Sequence, residues 1–189
     1  SDERKSNNIK RPIIRNQKTM KILLLSDNHA HFDSGILKHV NWADEVWHAG
    51  DWLNLDLHHE IVKLGKPIVG VYGNVDGVDV RGYYPEFQHF EREGMRIFMT
   101  HIAGKPGKYP SRIVQEARKS NPQIFICGHS HILLVKNDPL NKWLHLNPGA
   151  VGLHGFHAIR TALRFEIQSG SISKLEIVEW ARKQNTEIL

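Results

Sequence analysis

Between residues 20 and 72, short continuous apolar runs alternate with stretches of helical period, and few folds accept that pattern. The run Met20–Leu25 (MKILLL) shows no in-out alternation beyond Lys21. That is the mark of a strand buried on both faces. Ser34–Trp42 reads as a helix with Ser34 as its N-cap, and Glu45–Ala49 (EVWHA) as a second strand. Leu55–Leu64 reads as a helix stopped by Gly65-Lys66-Pro67, and Pro67–Tyr72 (PIVGVY) as a third strand. An alternation β-α-β-α-β implies parallel strands joined by crossover helices.

The second half changes character. Glu86–Phe90 and Met95–Thr100 read as a hairpin turning at Gly94, Ser111–Lys119 as a helix ended by Asn121-Pro122, and Gln123–Cys127 as a strand. Ile132–Lys136 and Trp143–Leu146 flank an Asn-Asp-Pro turn, and Thr161–Ile167 and Ser171–Val178 form a last hairpin around Gly170. Up to ten strands with three helices are too many for one flat sheet here. The predicted class is α/β, with two sheets face to face and helices outside.

Five of these strands end in the same kind of residue. Leu23–Ser26 runs into Asp27-Asn28-His29, Trp47–Ala49 into Gly50-Asp51, and Val69–Tyr72 into Gly73-Asn74-Val75-Asp76. Ile97–Thr100 runs into His101, and Ile124–Cys127 into Gly128-His129-Ser130-His131. Ligands of open α/β sheets bind outside the carboxyl ends of the strands. If the five strands are neighbours, Asp27, His29, Asp51, Asn74, His101, His129 and His131 converge. Each motif alone is weak: D-x-H recurs at Asp56-Leu57-His58 inside a predicted helix, and H-x-H recurs at His29 and His31. The joint occurrence on five strand ends carries the specificity.

Composition narrows the class. Thirteen histidines stand in 189 residues, and the single cysteine, Cys127, excludes a disulfide framework and a Cys-rich zinc finger. No apolar run approaches the roughly 18 residues of a membrane span, nor does the N-terminus read as a secretory signal. The expectation is a protein of the reducing cytoplasm. Of the +5 net charge, residues 1–21 hold seven basic against two acidic residues, and the rest of the chain balances at 18 of each. The expected layout is a basic tail or leader over 1–19, one domain over 20–180 and a C-terminal tail over 181–189. A neutral body gives no reason to expect a nucleic-acid partner, and no membrane partner is expected. A homo-oligomer stays open.

Two carboxylates, one amide oxygen and four imidazoles are too many ligands for one ion. They suit two divalent sites that share a carboxylate, and their nitrogen content argues for manganese, iron, nickel, cobalt or zinc over magnesium or calcium; manganese is the ion expected. Two such ions against two aspartates leave a net positive site that attracts an anion. Two metals about 3.5–4 Å apart clamp a phosphoryl group and lower the pKa of a water between them.

With these residues in order, the chain resembles the calcineurin-like metallophosphoesterases, whose motifs run D-x-H, G-D, G-N-x-[DE], H, G-H-x-H. It is most similar to the small prokaryotic phosphodiesterase branch, which lies near the retromer subunit of the same fold. Residues 73–82 and 147–152 also match, and the resemblance covers about residues 20–180. It implies a four-layer α/β/β/α sandwich of two mixed sheets flanked by helices. It implies a first metal on Asp27, His29, Asp51 and His131, and a second on Asp51, Asn74, His101 and His129, with Asp51 bridging. Asn74 would also bind the substrate phosphoryl oxygen, and Asp76 would orient a ligand imidazole; these two carry the expected catalytic roles. The implied function is hydrolysis of a small phosphodiester or phosphate ester by a hydroxide shared between the metals. The alternative is a binding scaffold of the same fold with weak or no catalysis, which loss of ligand residues would mark; none is lost.

One position departs from the pattern. Many relatives carry His after the Asn of the third motif, as the acid that protonates the leaving group, and here that residue is Val75. Such an acid contributes roughly 10²–10⁴-fold, and His31, His154 and His157 are the candidates to replace it. Trp52 and the other tryptophans read as core, Cys127 and His48 as packed, His58 and His59 as solvated, and Arg81 as a surface residue.

Overall fold

A computed structural model of the chain describes residues 19–182. The expected tails over 1–19 and 181–189 therefore lie outside the described residues, save Thr19, Ala181 and Arg182. Among the described residues the order is β1 (Met20–Leu25), α1 (Ser34–Trp42), β2 (Glu45–His48), α2 (Asp56–Lys63), β3 (Ile68–Gly70), α3 (Val78–Tyr83) and β4 (Phe87–Arg92). It continues with β5 (Met95–Thr100), α4 (Ser111–Arg118), β6 (Ile124–Ile126), β7 (Leu133–Asp138), β8 (Trp143–Pro148), β9 (Ile159–Gln168) and β10 (Ser171–Ala181).

The strands form two five-stranded mixed sheets, ordered β10-β9-β1-β2-β3 and β4-β5-β6-β8-β7. In the first, β1 lies parallel to β2, with Ile22 beside Glu45, and antiparallel to β9, with Ile22 opposite Phe165; β3 continues parallel to β2. In the second, β5, β6 and β8 are parallel neighbours. The five strands with ligand-type ends are thus adjacent: β1, β2 and β3 in one sheet, β5 and β6 in the other.

The continuous apolar run of β1 has a direct cause in the layering. Ile22 and Leu24, with Trp47, face Ile97, Met99, Ile124 and Ile126 of the opposite sheet. Leu23 and Leu25, with Val46, face outward onto Ile36 and Val40 of α1, Leu57 and Ile61 of α2 and Val80 of α3. On the far side, Phe98 and Phe125 receive Ile113 and Ala117 of α4. Full burial of a Leu or Ile side chain contributes about 1.5–3 kcal/mol, so residues 22–25, all fully buried, anchor the strand that delivers Asp27 from both faces. The layers are α/β/β/α, as the resemblance implied.

Three local expectations change. Helix α3 was not foreseen: it has six residues and buries Val80 alone, too little for a periodic signal. The N-cap of α1 is Asp33, not Ser34, because the Asp33 carboxylate accepts the Ile36 N–H at 3.0 Å. Strand β7 runs on to Asp138, whose Oδ1 then accepts the Leu140 and Asn141 N–H groups and forms the turn.

Candidate metal centre

The chain leaves β1, β2 and β6 by left-handed turns. Asp27 (φ 54°), His29 (45°), Asp51 (58°), His129 (67°) and His131 (57°) all lie in the region that favours glycine. Such a conformation costs an L residue roughly 1–2 kcal/mol, and strain of this kind concentrates at functional sites. Backbone bonds between loops hold it: Asp27 N–H to the Gly50 carbonyl (2.9 Å), His29 N–H to Asp51 (3.1 Å) and Gly128 N–H to His101 (3.0 Å). The β3 loop passes so close that a Cβ on Gly73 would overlap Asp51 Oδ1.

These turns bring the side chains into two touching groups, Asp27 with His29 and His131, and Asp51 with His101 and His129. In the first, His131 Nε2 lies 3.1 Å from Asp27 Oδ1 and 3.4 Å from His29 Nε2. In the second, His101 Nε2 lies 3.2 Å from Asp51 Oδ2. The groups meet through His29 Nε2 to Asp51 Oδ2 and His101 Nε2 to Asp27 Oδ1, each 3.9 Å.

The outer atoms of these ligands are occupied and the inner ones free. Asp27 Oδ2 accepts the Ser26 hydroxyl (2.5 Å) and the His129 N–H (3.0 Å), while Oδ1 is buried without a hydrogen bond. His101 donates Nδ1–H to the Ala49 carbonyl at 2.7 Å, so that in the neutral ring Nε2 carries the lone pair; that atom too is buried without a hydrogen bond. A buried polar atom left unpaired costs about 1–3 kcal/mol. Two acceptor lone pairs facing each other cannot satisfy one another, but a cation satisfies both. The donor set therefore fits divalent transition ions.

The electrostatics favour the metal-binding form at His29 and His129, and the proton a metal would displace at His101. Burial holds His29 and His129 below the ordinary histidine value, in the neutral form a metal requires. Burial also opposes charge on His101, yet the nearby carboxylates of Asp51 and Asp27 outweigh it and raise its pKa. Burial acts to raise Asp51, but His101 and the Val75 N–H (3.1 Å to Oδ1) hold it below the ordinary carboxylate value.

Around this floor, Asn74 is exposed and lines two neighbouring cavities, one over His29, Asp51 and His129, the other beside His101, Tyr72, Arg81 and Arg112. Asp76 corrects the expectation that it orients an imidazole. Its oxygens instead accept the backbone N–H groups of Asp51 (3.0 Å), Gly73 (2.7 Å) and Leu53 (2.7 Å). Arg81 is more than a surface residue: its Nε–H donates to the Asp76 carbonyl at 2.6 Å and its guanidinium lies 4.3 Å from the Tyr72 ring centre. His48 is packed as expected, donating Nε2–H to Asn28 Oδ1 at 3.1 Å and stacked 3.5 Å from Trp52, which is itself core. His58 is not simply solvated, since its Nδ1 meets the Tyr84 hydroxyl at 2.6 Å.

Of the replacement acids, His154 and His157 line the first cavity, their ring centres 4.9 Å from His29 and 5.2 Å from His131. His31 is instead engaged with Asp33 at 3.2 Å. Sequence reasoning missed Ser26, Ser130, Ile132 and Phe156. The first braces Asp27 and the others line the cavity.

Comparison with known proteins follows the same lines. Residues 20–170 match the family model of the calcineurin-like phosphoesterase superfamily domain. The chain is 27% identical over 146 residues to a phosphodiesterase of Methanocaldococcus jannaschii, covering 69% of this chain and 83% of that one. Its fold is similar to that of a predicted phosphoesterase from Streptococcus pneumoniae (25% identity, TM-score 0.62, 87% of this chain and 91% of that one). It is also similar in fold to vacuolar protein sorting 29 of Cryptosporidium parvum (15% identity, TM-score 0.61, 86% and 98%).

Proposed function

The chain belongs to the calcineurin-like phosphoesterase superfamily, and from that premise we propose that it hydrolyses phosphodiesters with two divalent transition ions. The observation that carries this reading is the convergence of Asp27 with His29 and His131, and of Asp51 with His101 and His129, on one floor where Asp27 Oδ1 and His101 Nε2 are buried without a hydrogen bond, 3.9 Å apart. Asp27, His29, Asp51 and His131 would hold one ion. Asp51, Asn74, His101 and His129 would hold the other. The position of Asp51 Oδ2 near both His29 Nε2 and His101 Nε2 supports its shared role. Mixed nitrogen and oxygen donors suit transition ions over magnesium or calcium; manganese is the ion proposed, with nickel, iron, cobalt or zinc as alternatives. Bound there, the ions would supply Lewis acidity toward a phosphoryl oxygen and toward water.

The chain's own groups do the rest. Asn74, at the rim, offers its carboxamide N–H to a phosphoryl oxygen. Asp76 does not reach substrate; it is a positioning residue that fixes the turns bearing Asp51 and Asn74. Val75, on the cavity wall, has no proton to give a leaving group. Diesters are favoured because the apolar wall above the floor can seat a second ester group, and because the Methanocaldococcus relative is a phosphodiesterase. The same fold in vacuolar protein sorting 29 keeps the scaffold alternative in view. A scaffold has no need of seven ligand-type residues at one floor, most of them on strained backbone. The buried, free Cys127 accords with a reducing cytoplasm.

The test is reconstitution. Metal-free protein is loaded with each ion in turn, analysed for metal content, and assayed on bis(p-nitrophenyl) phosphate. Two ions per chain, activity lost to chelator, and best recovery with manganese or nickel are expected. One ion per chain at saturation, or full activity in chelator, overturns the reading.

A further inference from the structure

The cavity above the metal centre is larger than a phosphate needs. It holds about 520 Å³, within the range of small-molecule sites (roughly 300–1,000 Å³). Its floor is His29, Asp51, His129 and His131, and among the described residues no Lys or Arg lines it. Those residues offer no cation to a second anionic group on the substrate. What the wall offers is apolar surface from three separate segments: Val75 after β3 (40% exposed), Ile132 after β6 (67% exposed) and Phe156 between β8 and β9, fully exposed. Single exposed apolar residues need no reason, but three converging on one polar floor mark a binding surface.

The segment bearing Phe156 is anchored on both sides of it. Gly155 has φ 114°, and a Cβ there would overlap His131 Nδ1, so the loop tip is seated against a ligand ring. Arg182 donates to the carbonyls of Leu153 (3.3 Å) and His157 (3.1 Å), and His157 Nε2–H donates to the Gly152 carbonyl (3.0 Å). The Phe156 ring therefore stands on a fixed loop, beside the floor, and packs into no core.

Resting on the phosphodiesterase reading, we propose that Phe156, Ile132 and Val75 form a subsite for a planar aromatic ester group of the substrate. Aromatic rings gain from offset or edge contact with one another beyond their buried area. Phe156, with the rings of His154 and His157, supplies planar partners on this wall. An aryl alcohol and a nucleoside base share the chemistry that the wall selects.

Three diesters with one leaving group, p-nitrophenolate, and a methyl, phenyl or thymidine-5′ second group test the subsite on the manganese-loaded enzyme and its Phe156→Ala variant. With wild type, kcat/KM should rise about tenfold from methyl to phenyl, thymidine or both, and Phe156→Ala should reduce that ratio about three- to tenfold. The thymidine-to-phenyl ratio identifies base or aryl group. Calorimetry supplies a readout free of turnover: phenylphosphonate should bind wild type more tightly than methylphosphonate does, and Phe156→Ala should shrink the difference. The melting temperature should not move, because the ring is exposed. Equal rates on all three esters with equal phosphonate binding overturn the subsite and leave the phosphodiesterase reading standing. No hydrolysis of any ester with any metal overturns the reading, and the phosphonate titrations then decide the subsite alone.

Discussion

Asp76 holds Asp51 by its backbone: Asp76 Oδ2 accepts the Asp51 N–H at 3.0 Å, across 25 positions of sequence. The same carboxylate takes the N–H groups of Gly73 and Leu53, both at 2.7 Å. One buried side chain thus ties the turn after β2 to the turn after β3. Burial raises its pKa, and the neighbouring charge of Asp51 adds to that against the pull of the Gly73 and Leu53 bonds. Asp76→Asn puts an NH₂ where an acceptor stood, so at least one N–H loses its partner, at about 1–3 kcal/mol. Manganese affinity should fall about 10–100-fold. Titration calorimetry and thermal unfolding check both effects, and an unchanged affinity would remove the positioning role.

Asp51 lies between the two ligand groups, 3.9 Å from His29 Nε2 and 3.2 Å from His101 Nε2 by its Oδ2. Asp51→Asn should therefore deplete both metals, while His29→Ala and His129→Ala each spare one. Metal content per chain, measured at matched free manganese, separates the cases. Turnover should fall further in Asp51→Asn than in His29→Ala or Asn74→Ala. Near wild-type turnover in Asp51→Asn would end the shared-ligand assignment.

The strands were legible because buried parallel strands must be apolar on both faces, as residues 22–25 are. The ligand types were legible because each interrupts the chain directly after such a run. The strained turns were not: Asp27 and His131 occupy left-handed backbone without the glycine that usually signals it. Helix α3 buries one side chain and leaves no period to read. The bracing by Asp76 and Arg81 was hidden because their partners are backbone N–H and carbonyl groups, which no residue type marks. Phe156 stands in no motif or periodic run, and only the fold places it in solvent beside the site.

Val75 is anchored by its N–H to Asp51 Oδ1 at 3.1 Å, and its side chain lines the cavity where a proton donor would serve the leaving group. Rate should then depend steeply on leaving-group pKa, with aryl diesters cleaved far faster than alkyl ones. Val75→His should raise kcat on poor leaving groups by about tenfold or more, below the 10²–10⁴ of a fully placed general acid, and change aryl substrates little. A flat dependence, with chemistry rate-limiting, would mean that another acid is in place. His154 and His157, both on the cavity wall, would be replaced first; His31, engaged with Asp33, would follow.

His145, which the mechanism does not use, makes stability depend on pH. Its ring is buried, its Nδ1 lies 2.9 Å from the Tyr109 hydroxyl, and its Nε2 lies 3.6 Å from Cys127 Sγ. The Tyr109 oxygen already accepts the Trp143 Nε1–H at 3.2 Å, so its own O–H is free to donate to His145 Nδ1. That arrangement suits a neutral imidazole with the proton on Nε2, and burial lowers the pKa from 6.5 to about 4. Above pH 6.5 both folded and unfolded chains hold the ring neutral, and the full stability is present. Between 6.5 and about 4 the unfolded chain binds a proton that the folded chain refuses, so stability drains at up to about 1.4 kcal/mol per pH unit, roughly 3 kcal/mol in all. Below pH 4 both states are charged at this residue and its contribution to the slope ends. His48, buried and held well below the ordinary value, adds to the loss as pH falls below 6.5. Urea unfolding in chelator, which removes the metals' own proton linkage, should show the loss in wild type and a shallower slope in His145→Gln, whatever that variant's stability at pH 7.5. An equal slope in both proteins would mean that His145 is not held neutral in the fold.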